Sequence, residues 1–193
     1  MDLSNQETYV RYNLADLHMH SLCSDGLRTP TQAVEEACEA GLQAMSLTDH
    51  DTVEGIPEAI EAGERLGMEV LPGTELSAHV REREVHILAY CIDCGDDQLG
   101  TSLEQFFTSR HQRGIAIVEK LNGLGLSISL DDVLNQAKGS PLGRPHIAAA
   151  MVQNGLVADK NEAFNRYIGD RGPAFNAKPY TSVEDVIGLV HRT

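Results

Sequence analysis

Two histidines set two residues apart, His18 and His20, carry the first chemistry in this chain. Residues i and i+2 of a strand share a face, so both imidazoles can converge on one cation. Alone, the pair is equally consistent with ordinary core histidines. More donors follow where strands are expected to end. Asp25 lies in Ser24-Asp25-Gly26, His50 in Thr48-Asp49-His50-Asp51, Glu75 after Pro72-Gly73-Thr74, and His86 within a fourth strand. Six nitrogen and oxygen donors without a thiolate suit hard or borderline divalent ions such as Mn, Fe or Zn. Asp16 and Asp49, beside these histidines, could orient them as hydrogen-bond acceptors. Cys91-Ile92-Asp93-Cys94 has no second pair at zinc-ribbon spacing, so its thiols are expected to be buried at a strand end. His79 and His191 are expected at the surface.

Cations gather in the second half. Arg110 and Arg113 sit three apart on one helix face, and Arg144 and His146 stand at a helix start. Guanidinium forks suit phosphate, particularly one not undergoing reaction. Arg110 and Arg113 could equally be solvated. Phe106 and Phe107 are expected to pack in a helix core rather than stack on a base.

The elements that must position these residues alternate. Leu14–His18, Ala44–Thr48, Met68–Leu71 and Val85–Cys91 are predicted strands. Between them, a helix capped by Thr29-Pro30 runs to Gly41, and another runs from Val53 to Leu66 and is closed by Gly67. This alternation predicts βαβ units and a parallel sheet with its active face at the strand C-termini. After Asp97 the pattern turns helical over 103–124, 130–137, 145–155 and 161–167, then resumes an amphipathic helix at 183–191.

Composition narrows the possibilities. The 193 residues carry 15 Lys and Arg against 29 Asp and Glu, a net charge of −14. Such a balance opposes wrapping of long nucleic acid. Residues 1–97 hold 5 basic and 20 acidic side chains, a balance of −15; residues 98–193 hold 10 and 9, a balance of +1. The acidic half is the one with the metal-type donors. No apolar run reaches the roughly 20 residues of a membrane span, and the polar stretch 1–13 lacks the apolar segment of a secretory leader. Cysteines in such a chain are expected to be reduced, in a cytoplasmic protein.

Taken together, His18-x-His20, Ser24-Asp25-Gly26, Thr48-Asp49-His50-Asp51-Thr52, Pro72-Gly73-Thr74-Glu75 and Val85-His86-Ile87-Leu88-Ala89-Tyr90 resemble the PHP (polymerase and histidinol phosphatase) superfamily. Within it the pattern is most similar to the stand-alone phosphoesterases related to RNase AM. The resemblance implies an α/β fold, a distorted (β/α)7 TIM-like barrel. Residues 1–97 would form its N-terminal part, 98–180 a mostly helical insertion and 181–193 a return helix. It implies up to three divalent ions, Mn first, with Fe or Zn as options. His18, His20 and Glu75 would hold one, Glu75 would bridge to a second shared with His86, and Asp25 and His50 would hold the third. Hydrolysis of phosphate esters of nucleotides or short oligonucleotides would use metal-activated water and no separate protein base. Arg110, Arg113, Arg144 and His146 would bind substrate phosphates. Relatives continue with strands that add further ligands and close the barrel, so this chain is expected to be part of a longer one. Rival readings are a histidinol-phosphate-like small phosphomonoesterase, a non-catalytic metal-binding domain, and an amidohydrolase. The Asp49-His50-Asp51-Thr52 and Pro72–Glu75 segments speak against the last.

Overall fold

A computed structural model describes residues 14–81 and 83–193; the stretch 1–13, expected from sequence to lack a secretory leader, lies outside the described residues. Strand β1 (Ala15–Met19) leads through the Ser21–Arg28 loop into helix α1 (Pro30–Glu39). Thr29 caps α1 by accepting from the Gln32 amide, and Gln32 returns the bond to the Thr29 amide, so two orphan N–H groups are satisfied at once. Strand β2 (Ala44–Leu47) and helix α2 (Ile56–Leu66) repeat the unit, and α2 ends at Gly67 with φ +72°. A side chain there would be strained. β1 pairs with β2 and β2 with β3 in parallel, as alternation requires.

The fourth strand departs from the expectation. β3 runs the full length of Glu69–Val80 and turns at once into β4 (Arg83–Tyr90), pairing antiparallel with Gly73 opposite Tyr90 and Val80 opposite Arg83. A parallel return needs a crossover of a dozen residues or more, and the turn here is far shorter. The result is a mixed four-stranded sheet in the order β1-β2-β3-β4. Glu75 therefore stands within β3 rather than after it. β1 lies at the edge of the sheet among the described residues, with Leu17 exposed on it and Leu14 exposed just before it.

Helix α3 (Asp97–Gly123) is 27 residues long, which at 1.5 Å per residue spans roughly 40 Å. Its two ends serve different cores. Leu99 and Leu103 pack with Leu76, Ala78, Ala89 and Val186 under the hairpin, where α7 (Val183–Val190) also docks. Ile117, Val118 and Leu121 pack among α4 (Leu130–Ala137), α5 (Arg144–Gln153), α6 (Lys160–Ala163) and the π-helical turn Phe164–Ile168. A third core joins α1, α2 and β2. Leu121 is fully buried in the helical core. Leu121→Ala is expected to lower stability by ~2–5 kcal/mol in urea unfolding, the usual cost of such a cavity.

The cysteines correct one expectation. Cys94 is half-buried against two cores, but Cys91 is exposed, with φ +55°, as the chain turns out of β4. No helix among the described residues is long and apolar enough to cross a membrane.

Candidate metal centre

Glu75 is the centre of the site. Its carboxylate lies in the sheet at 5% exposure, and four imidazoles surround it. His18 Nε2 is 2.9 Å from Oε2, His20 Nε2 3.1 Å from Oε2, His86 Nδ1 2.7 Å from Oε1, and His50 Nδ1 3.6 Å from Oε2. Strand geometry explains the convergence. His18 comes from β1 and His20 from the residue just past its end, His50 from just after β2, and Glu75 and His86 from the paired strands of the hairpin. A backbone bridge between His50 and Glu75, with the Glu75 amide donating to the Asp49 carbonyl, fixes the β2 end to β3. Asp25 closes the other side, 3.6 Å from His20 Nδ1 and 3.7 Å from His50 Nε2. Three groups of donors result, with ligand atoms within 4.8 Å of one another: His18, His20 and Glu75; His20, Asp25 and His50; His50, Glu75 and His86.

Asp16 and Asp49 touch no imidazole. Asp16 accepts from the backbone amide of His18. Asp49 is buried and accepts from the Ser21 amide at 2.7 Å, the Ser21 hydroxyl at 2.6 Å and the Ser24 hydroxyl. Its work is to fold the loop after β1, where Gly26 packs so closely that a Cβ would lie 2.5 Å from the His20 carbonyl oxygen. Asp49 nonetheless reaches an imidazole indirectly, because the Ser24 hydroxyl that it binds lies 3.4 Å from His20 Nδ1.

The electrostatics are those of a site built for cations. Burial alone would raise the Glu75 pKa, but hydrogen bonds from His20, His86 and His18 and the charge of His50 hold it well below the usual range. His86 is pushed up to about 9 by its bonds to Glu75 and Glu84, whereas burial and then Arg110 bring His50 down to about 4. His50 Nδ1 is buried without a hydrogen-bond partner. A neutral imidazole with a ring nitrogen left without a hydrogen bond is suited to be a metal ligand. The donors present therefore fit divalent cations.

Opposite the histidines stands a cationic wall. A cavity of about 180 Å³ is lined on one side by Asp25, His50 and His86 and on the other by Arg110, Arg113, Arg144 and His146. All four substrate-binding candidates thus face the cavity. Arg110 is anchored from behind, its Nε donating to Asp51 at 2.6 Å. Arg113 donates Nε to the Asn176 carbonyl at 2.6 Å, and its buried NH2 group has no hydrogen-bond partner. Burial and then the charge of Arg144 lower its pKa to about 10. Arg144 lies near the Phe164 and Phe175 rings, 5.7 and 5.8 Å from their centroids. The His146 pKa is lowered by burial, and its Nδ1 accepts from the Gly143 amide at 3.2 Å.

Four residues here escaped sequence reasoning. Glu84, Lys178 and Phe164 line the cavity, and Asp51 lies beneath Arg110. Glu84 had a signal: it stands two residues before His86 on the same strand face, the spacing that made His18 and His20 conspicuous. Lys178 and Phe164 had none, because only tertiary folding brings them here. Phe106 is half-buried against the hairpin core, and Phe107 is exposed. His191 is exposed as expected, but His79 is half-buried, stacked on Tyr180 at 5.4 Å.

This fold and donor set define a PHP domain: residues 16–192 match that family, and the chain belongs to it. Among its relatives, a 5′-3′ exoribonuclease from Haemophilus influenzae is 33% identical over 176 residues, covering 91% of this chain and 64% of the relative. A 3′,5′-nucleoside bisphosphate phosphatase from Chromobacterium violaceum is 30% identical over 176 residues, covering 91% and 62%. A crystal structure of a proposed metal-dependent phosphoesterase from Bifidobacterium adolescentis superposes with a TM-score of 0.87 at 34% identity, covering 92% of this chain and 63% of that one. The chain thus spans less than two thirds of the length of these relatives.

Proposed function

We propose that this chain carries the active site of a divalent-metal-dependent phosphoesterase acting on nucleotides or short oligonucleotides. The observation that carries the reading is the pairing of two walls in one cavity. A carboxylate ringed by four imidazoles faces a wall of arginines, one with a buried guanidinium nitrogen that makes no hydrogen bond. The relatives' activities on nucleotide phosphates support it. His18, His20 and Glu75 would hold one cation, Glu75 and His86 a second, and Asp25 and His50 a third, with Mn the first choice and Fe or Zn as options. Such cations, when bound, withdraw charge from phosphoryl oxygens and make water a stronger nucleophile at neutral pH.

The protein's own residues do the rest. Arg113 NH2 and Arg144 offer guanidinium donors to a substrate phosphate, and His146 stands with them at the start of α5. The exposed Asp170, which Arg144 now contacts at 2.6 Å, is readily exchanged for that phosphate. Phe164 gives the cavity an apolar wall beside these cations. The nucleophile in this reading is water activated by the cations, and no separate protein base is assigned. In this reading the sheet is the N-terminal part of a distorted (β/α)7 barrel and 98–180 is its helical insertion. The four free thiols suit a cytoplasmic enzyme.

The test is phosphate release from adenosine 3′,5′-bisphosphate and short RNA with Mn²⁺ supplied. The assay is run on this chain and on a form extended through its following reading frame. Release from either form, abolished by His18→Ala with His20→Ala, is the expected outcome. No release from any nucleotide by the extended form, or full activity of the double variant, overturns the reading.

A further inference from the structure

Successive side chains of β4 alternate between faces, which puts Glu84 beside His86. His86 is gripped from both ends. Its Nδ1 lies 2.7 Å from Glu75 Oε1, and its Nε2 lies 3.2 Å from Glu84 Oε1. Glu84 is no loose surface carboxylate. Lys178 forms an ion pair with its Oε1, the Arg113 NH2 group lies 4.0 Å from its Oε2, and Lys178 is itself anchored on the Ser77 hydroxyl at 2.7 Å. A cation held between Glu75 and His86 would take the place of the proton on Nδ1. The proton on Nε2 would remain, and Glu84 accepts it.

From this we infer that Glu84 is a positioning residue. It fixes the tautomer and ring orientation of His86, so that Nδ1 presents its lone pair to the metal centre, and Lys178 locks Glu84 in that task. The inference rests on the reading of the histidine cluster as a metal centre. It also joins the two walls, because Lys178 and Arg113 belong to the cationic side.

Mn²⁺ uptake, followed by equilibrium dialysis and elemental analysis, tests this without recourse to activity. Wild type, Glu84→Ala, Glu84→Gln, His86→Ala and the Glu84→Ala/His86→Ala double variant are compared, with circular dichroism to verify folding. Glu84→Ala is expected to weaken the most affected Mn²⁺ site by ~10–100-fold. Glu84→Gln keeps an oxygen that accepts the Nε2 proton, so it loses less and carries the test if the alanine variant does not fold. In the His86→Ala background, Glu84→Ala is expected to change nothing further, since residues acting through one another are not additive. Wild-type Mn²⁺ affinity in both Glu84 variants, or an equal loss with and without His86, overturns the inference and leaves the metal centre standing. A wild-type protein that takes up no Mn²⁺ overturns the metal centre and the inference with it.

Discussion

Glu75→Gln is expected to reduce phosphate release by at least ~100-fold, the upper end of what is lost when a mere supporting partner of a ligand is removed. The expectation follows from position. Glu75 belongs to two of the three donor groups, and its two oxygens divide between His18 and His20 on one side and His86 on the other. The amide keeps the shape but offers one acceptor oxygen in place of two and carries no charge. Cations held there would lose both a bridge and a neutralising charge. Mn²⁺ content, measured alongside the rate, should fall in parallel. A variant that keeps its metal and stays within tenfold of wild-type turnover would show that Glu75 is not the shared ligand.

The second large effect is on stability. Asp51 has a positive φ of 52°, a region that aspartate tolerates better than most residues. Its buried carboxylate accepts from Arg110 Nε at 2.6 Å, the Ser77 amide at 2.7 Å and the Ser77 hydroxyl at 2.8 Å. Arg110 is 8% exposed. Asp51→Ala would leave that guanidinium buried without its counter-charge, and loss of one partner of a buried pair costs about 3–5 kcal/mol. Urea unfolding at pH 7 measures it, and a loss below ~1 kcal/mol would refute the role.

Acid gives a second check on Asp51. Burial would raise the Asp51 pKa, but Arg110, Lys178 and the Ser77 bonds hold it below its ordinary 3.8. A carboxylate depressed in the folded state contributes fully above its unfolded pKa of about 3.9 and loses that contribution as pH falls toward the folded value. The stability gap between wild type and Asp51→Asn should therefore narrow below about pH 4.

The parts of this molecule legible in sequence are those whose geometry repeats locally. His18 and His20 declare themselves because strand periodicity puts them side by side, and Thr29-Pro30 and Gly67 mark helix ends by backbone chemistry alone. The same rule, applied to Glu84 and His86, would have exposed Glu84. The antiparallel β4 was also within reach, since the few residues from Arg81 to Glu84 cannot hold a crossover. Other residues were beyond local reasoning. Lys178 meets Ser77 across 101 positions of chain, and Arg110 meets Asp51 across 59. Nothing near Lys178 in sequence anticipates a cavity, and Asp49 looks like a partner for His50 until its bonds to Ser21 and Ser24 are seen.

Helix α3 has its N-terminal end rooted beneath the hairpin and its C-terminal end rooted among the helices, with Arg110 and Arg113 at midspan. His18, His20, His50 and His86 stand on the sheet side, while Arg144, His146 and Phe164 stand on the helical side. The metal-type donors and the proposed phosphate-binding groups are thereby carried by different parts of the fold. On the proposed function, substitutions confined to the helical side are expected to change which phosphate ester is bound while the metal-type donors stay in place. The rod between them sets the gauge at which the two are held apart.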